Sequence, residues 1–241
     1  MPKRGAKPKA KPKAEQPRLR TVGKNVDRAE GVDKLTGQAR YIDDLVFPDM
    51  LHGATLRSTV PRGRILEVTR DPAFDWSGFT VVDHRDIAEG GGRNVVAMIV
   101  DDQPLLAENE VRHQAEPILL IAHADRARLA EGLKHVTIRY QPSEAVLDFE
   151  RAETVLKEIG IARGDLDAGF ADAEIIVEGI YRTGAQEQLY LECNGMIAVP
   201  DADGERSGMT VYGSMQCPYY VQRALEGLLG LPRERVRVVQ T

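Results

Sequence analysis

The chain has 241 residues, 42% of them hydrophobic and 5% aromatic, enough for one or two domains with mainly aliphatic cores. The net charge of -5 hides an asymmetry. Residues 1–20 carry eight Lys or Arg and one Glu, a charge of +7 that leaves the remaining chain at -12 and argues against a nucleic-acid-binding body. Two cysteines are too few for an iron–sulfur cluster, and no apolar run approaches the roughly 20 residues of a membrane span.

The segment 1–20, MPKRGAKPKAKPKAEQPRLR, reads as a disordered basic arm, either a solvated tail or a contact for an anionic partner. The low cysteine count, and a basic N-terminus with no apolar segment behind it, point to the cytoplasm. Leu51 to Arg57, Ile65 to Val68 and Phe79 to Val82 are expected as strands, with a short turn at Asp86 to Glu89. Asp43 and Asp44 read as turn carboxylates, with a metal or acid/base role as the rival. The run Gly90-Gly91-Gly92 lacks the Lys-Ser/Thr of a phosphate loop and reads as a flexible surface loop. Trp76, the only Trp, is expected to pack.

A βαβ-like run follows. Val95 to Val100 is apolar, and Asp101 to Pro104 is a turn. Ile118 to Ala122 has the unbroken apolar character of a buried strand. Asp125 can cap a helix holding Leu129 and Leu133, and Val136 to Tyr140 is the strand after it. Residues 21–145 thus form one α+β domain, 146–164 a charged linker, and 165–241 a second region. That region opens with a short helix at Asp165 to Phe170. Strands are expected at Ile175 to Tyr181, Gln188 to Val199 and Met209 to Met215, with a turn at Asp201 to Gly204.

The last stretch, VYGSMQCPYYVQRALEGLLGLPRERVRVVQT, reads as strand, turn, helix, turn, strand. Pro218 suits a first helical position, Val221, Ala224, Leu225, Leu228 and Leu229 share one face, and Gly230 and Pro232 stop the helix. This is a βαβ unit with parallel strands. Gln216 sits at the strand-to-helix turn behind Gly213 and Ser214, where ligands gather in parallel sheets. It is either a turn amide bonded to nearby backbone or a ligand-facing group. None of the five histidines has zinc-pair spacing, and there is no GxSxG or GxGxxG.

The same stretch resembles the segment before the GGGFGGK-type loop in the large, molybdopterin-binding subunit of the xanthine dehydrogenase and aldehyde oxidase family. The resemblance extends through ECNGMIAV, YRTGAQEQLYLE, GDLDAGFADAEIIVEG, EVRHQAEPILLIAHAD and VDKLTGQARYIDDLVFPDMLHGATLRS, over roughly residues 21 to 241. It implies an α+β chain: an α/β hammerhead domain followed by the start of the molybdopterin-binding domain. It implies hydroxylation of an aldehyde or N-heterocycle with water-derived oxygen. It places Gln216 near an oxo ligand of the molybdenum, with Gly213 and Ser214 beside the molybdenum-molybdopterin cofactor, and no protein ligand to the metal. Gln186, Glu187 and Glu192 match a polar stretch near the same pocket, with a structural role as the rival. The implied partners are the remainder of the large subunit, an iron–sulfur subunit with two [2Fe–2S] clusters, and an FAD subunit. The family's glycine-rich loop and glutamate base would lie beyond Thr241, so the chain alone is expected to neither hold the cofactor nor turn over. The alternative is a non-catalytic interaction or assembly protein that retains the hammerhead fold.

Overall fold

In a computed structural model the described residues are 21–96, 100–201 and 208–241. The basic arm therefore lies outside them, as do parts of the apolar run at 95–100 and of the turn expected at 201–204. The chain divides into two units, residues 1–40 and 41–241. Among its described residues the first contains one short helix, α1 (Gly31–Thr36), closed by Gly37 in the left-handed conformation and with no buried residue.

In the second unit, two antiparallel sheets share a core. The first joins β1 (His52–Arg57), β3 (Thr80–Val82) and β5 (Pro117–His123) in the order β1-β5-β3. The second joins β2 (Gly63–Arg70), β4 (Glu110–Val111) and β6 (Val136–Pro142) in the order β4-β2-β6. Ala107, Val111, Ile118 and Leu119 form the buried cluster, with Leu56, Ile65, Val81 and Ile138 packed on it. In β5, Ile118, Leu119 and Ile121 are buried although they point to opposite sheet faces, which is why its apolar run is continuous.

The βαβ-like reading of residues 96–140 is corrected here. A strand, a helix and a strand are present, with α3 (Arg126–Lys134) capped by Asp125 as expected. However, β5 pairs with β1 (Thr55↔Leu120), while β6 pairs with β2 (Val68↔Ile138), all antiparallel. Periodicity marks a strand but not its partner, and here the helix carries the chain from one sheet to the other. Gly132 of α3 packs against the Phe79 ring at a distance that leaves no room for a side chain.

The expected turn at Asp86 to Glu89 is also corrected: it is a helix, α2 (His84–Glu89). Asp83 accepts from the Arg85 backbone N–H at 2.7 Å, and the Asp83 N–H donates to the Asp86 carboxylate at 2.7 Å. This reciprocal cap supplies the nucleus that six residues could not supply by propensity alone. Trp76 packs as expected, edge-on to Phe74 and Phe79 at 5.0 and 5.3 Å, and its indole N–H donates to the Asp71 carbonyl.

Between residues 143 and 195 the chain is irregular except for a 3-10 turn at Phe149–Arg151 and α4 (Leu166–Ala171), which Asp165 caps. Two expected strands are corrected. Residues 175–181 form no strand, and of 188–199 only the end does, in β7 (Met196–Pro200). A strand needs a neighbouring edge, and no described residue pairs with 175–181. Val177, Ile180 and Tyr181 are 82%, 87% and 88% exposed.

The closing βαβ unit forms as expected. β8 (Met209–Gly213) pairs antiparallel with β7 and parallel with β9 (Val236–Gln240), in register Val211↔Val238. Between them α5 (Pro218–Leu229) starts on Pro218 and ends at Gly230 in the left-handed conformation.

Candidate active-site cleft

The C-terminal end of β8 meets a face of β1. Side chains alternate along a strand, so Gly53, Thr55 and Arg57 face the same way. They form one wall of an open cleft of about 1030 Å³. Ser214, Met215 and Gln216, at the turn from β8 into α5, also line it, together with Gln188, Tyr190 and Asn194.

The turn is held from both sides. The Ser214 N–H donates to the Gly195 carbonyl at 3.2 Å, and the Thr241 N–H donates to the Gly213 carbonyl at 3.1 Å. Gly213 is buried, and a Cβ there would stand 2.9 Å from the Gly195 carbonyl oxygen and 3.0 Å from Met196. Only glycine lets the two backbones approach this closely. Beyond this fixed point Gln216 is exposed, and among the described residues its carboxamide has no hydrogen-bond partner.

Gly213, Ser214 and Gln216 thus lie within one turn, with Ser214 and Gln216 on the cleft. Gln186, Glu187 and Glu192, expected near this pocket, are not among the residues that line it. The segment runs irregularly, and it is Gln188 and Tyr190 that reach the cleft. The Glu187 carboxylate accepts from the Gln188 N–H at 3.2 Å. Glu192 lines a separate recess of about 400 Å³ with Asp43 and Asp44, and its Oε1 is buried without a hydrogen-bond partner among the described residues. The β1 wall and Gln188 escape motif reading, although the alternation of β1 already puts residues 53, 55 and 57 on one face.

Among the described residues no carboxylate lines the cleft, and its one charged side chain is Arg57. The carboxylates held below their ordinary range lie elsewhere, serving as caps and turn acceptors or pairing with neighbouring Arg and Lys side chains. Asp125, at the start of α3, is one: backbone N–H groups of Arg128 and Ala127 stabilise its charge. Four of the five histidines are engaged by neighbouring groups. His52 Nδ1 accepts from Arg126 at 3.1 Å, the Asp125 N–H donates to His123 Nδ1 at 2.9 Å, and His135 Nδ1 meets the Asp71 carboxylate at 3.0 Å. His113 Nδ1 lies 3.0 Å from the Gln114 carbonyl. Among the described residues no cluster of His, Cys, Asp or Glu could hold a metal ion. Cys193 and Cys217 are both free and exposed. No helix among them is long and apolar enough to cross a membrane.

Residues 36–144 match the family model of the aldehyde oxidase and xanthine dehydrogenase a/b hammerhead domain, and residues 149–241 match that of the molybdopterin cofactor-binding domain. The nicotinate dehydrogenase large molybdopterin subunit of Eubacterium barkeri is 30% identical over 231 residues, 91% of this chain and 53% of that protein. The xanthine dehydrogenase of Blastobotrys adeninivorans is 32% identical over 224 residues, 90% of this chain and 16% of that protein. The chain therefore spans about half the length of the first relative and a smaller share of the second. Among solved structures, quinoline 2-oxidoreductase from Pseudomonas putida 86 superposes with a TM-score of 0.75 at 26% identity, over 90% of this chain and 30% of that one. The aldehyde oxidoreductase of Desulfovibrio gigas shares the fold, with a TM-score of 0.74 at 20% identity over 89% of this chain and 26% of that one. With the hammerhead domain leading into the start of the molybdopterin-binding domain, the chain belongs to the xanthine dehydrogenase and aldehyde oxidase family and corresponds to the N-terminal part of its molybdopterin-binding subunit.

Proposed function

We propose that this chain is part of a molybdenum hydroxylase large subunit and is active within the whole cofactor-bound subunit. Its partners are then the remainder of the large subunit, an iron–sulfur subunit and an FAD subunit. The observation that carries this reading is the free carboxamide of Gln216, presented into a carboxylate-free cleft by a turn pinned at Gly213.

These residues fit an anionic cofactor. No carboxylate repels it, and the close backbone approach at Gly213 fixes the turn that faces it. When bound, the molybdenum-molybdopterin cofactor supplies the oxidative chemistry that hydroxylates a carbon with oxygen from water. The names of the relatives and neighbours include nicotinate, xanthine, quinoline and aldehyde, which supports an N-heterocycle or aldehyde as the substrate class. Gln216 donates a hydrogen bond from its amide N–H to negative charge that develops at the reacting centre, and adds no charge of its own. Ser214 offers its hydroxyl to the cofactor, and Gly213 keeps the turn from moving.

The test is molybdenum per chain in material purified from its own cells. About one molybdenum per chain, with the completing polypeptide alongside, is the expected result. A second reading is a non-catalytic interaction or assembly protein retaining the hammerhead fold. The exposed apolar side chains between Val146 and Leu191 favour it. A partner bound without molybdenum would select it.

A further inference from the structure

The cleft has a charge character that the proposed role of Gln216 does not use. The body of the chain is acidic, yet among the described residues no carboxylate lines this cleft and Arg57 is its single charged side chain. Arg57 also has no ion-pair partner among the described residues. One of its guanidinium N–H groups is fixed, Nη1 donating to the Ala115 carbonyl at 3.1 Å, and a guanidinium has five such donors in a rigid fork. That carbonyl belongs to a residue with φ of 61°, and Leu189, between the cleft residues Gln188 and Tyr190, has φ of 45°. Such conformations are strained for residues with a side chain, and strain of this kind collects at ligand sites. A charged fork is thus oriented by an anchored bond, in a cleft otherwise lined by uncharged residues, with no anion among the described residues to meet.

We propose that Arg57 recognises an oxyanion of the molecule occupying this cleft, a carboxylate or a phosphate monoester. The first would come from substrate and the second from the cofactor. The assignment of these sources rests on the function proposed above; the anion site itself does not. A guanidinium meets both groups with paired hydrogen bonds, strengthened where the surroundings exclude water. Arg57 acts in binding and orientation, and no covalent step involves it.

The experiment titrates the full chain with inorganic phosphate, with benzoate and with uncharged benzamide, following amide chemical shifts around residues 55–57 and 214–216. Arg57→Gln is expected to weaken binding of one or both anions by about tenfold or more. Arg57→Lys should lose less, and Arg62→Gln, outside the cleft, should lose nothing. Benzamide should be indifferent to all three. Loss confined to benzoate assigns the anion to substrate, and loss confined to phosphate assigns it to the cofactor. Arg57→Gln binding both anions like the parent chain overturns the proposal. So does equal weakening in Arg62→Gln, or a parent chain that binds neither anion. Circular dichroism checks that each variant is folded. A chain that binds anions through Arg57 but purifies without molybdenum overturns the cofactor reading alone.

Discussion

The backbone N–H of Arg93 donates to the Gly227 carbonyl across 2.9 Å, tying the glycine run 90–92 to the last turn of α5. A Cβ on Gly92 would run into the Leu228 carbonyl oxygen, so the run is a packed junction between α2 and α5 and not the flexible surface loop that composition implies. Leu228, Leu229 and Ile87 meet there around an apolar cavity of about 400 Å³. Gly92→Ala is expected to destabilise the chain by about 1–3 kcal/mol, because a helix carbonyl cannot move aside as a side-chain tip can. Urea unfolding measures this, and an unchanged midpoint would show that the junction does not form.

Gln216→Ala in the completed complex should lower turnover by about tenfold or more with molybdenum content unchanged. Steady-state rates and metal analysis on the same preparation check it. Full turnover at full metal loading would remove Gln216 from the chemistry.

Asp83 should make the stability of α2 sensitive to acid. The Arg85 guanidinium beside it, and then the Arg85 backbone N–H, hold its carboxyl below the usual aspartate range. A group whose folded pKa is depressed contributes stability above its unfolded pKa, about 4, and loses it as pH falls through the folded value. Asp83→Ala should cost about 0.5–2 kcal/mol at pH 7 and much less below pH 3. Thermal melts of both proteins at the two pH values give the comparison. An equal cost at both would mean the charge of Asp83 plays no part.

His135 stacks on Phe74 at 4.2 Å and meets Asp71 at 3.0 Å, and Phe74 packs on Trp76. His135→Ala should therefore shift Trp76 emission to longer wavelength and cost about 0.5–1.5 kcal/mol. Since Trp76 is the sole tryptophan, the spectrum reports this cluster directly. An unshifted spectrum would separate His135 from it.

Val177→Lys and Ile180→Lys should leave the melting temperature unchanged and reduce binding of a hydrophobic dye. Both side chains are more than four-fifths exposed and contribute little to the fold as it stands. A large fall in melting temperature would mean these residues are covered within the chain itself.

The sequence by itself determined what depends on near neighbours. Pro218, the apolar stripe from Val221 to Leu229 and Gly230 specify α5 with both its ends, and Asp125 and Asp165 specify two more helix starts, because caps and turns act within a few residues. The Gly213-Ser214-Met215-Gln216 turn was legible for the same reason. Tertiary structure decided what depends on distant partners. It put β5 and β6 in different sheets, since a strand's own side chains do not choose its neighbour. It left Ile175 to Tyr181 without a strand despite its apolar character, because a ladder needs an edge to pair with. It brought Arg57 and Gln216, 159 positions apart in sequence, onto one cleft, because β1 and β8 belong to different sheets and no local pattern encodes where those sheets meet.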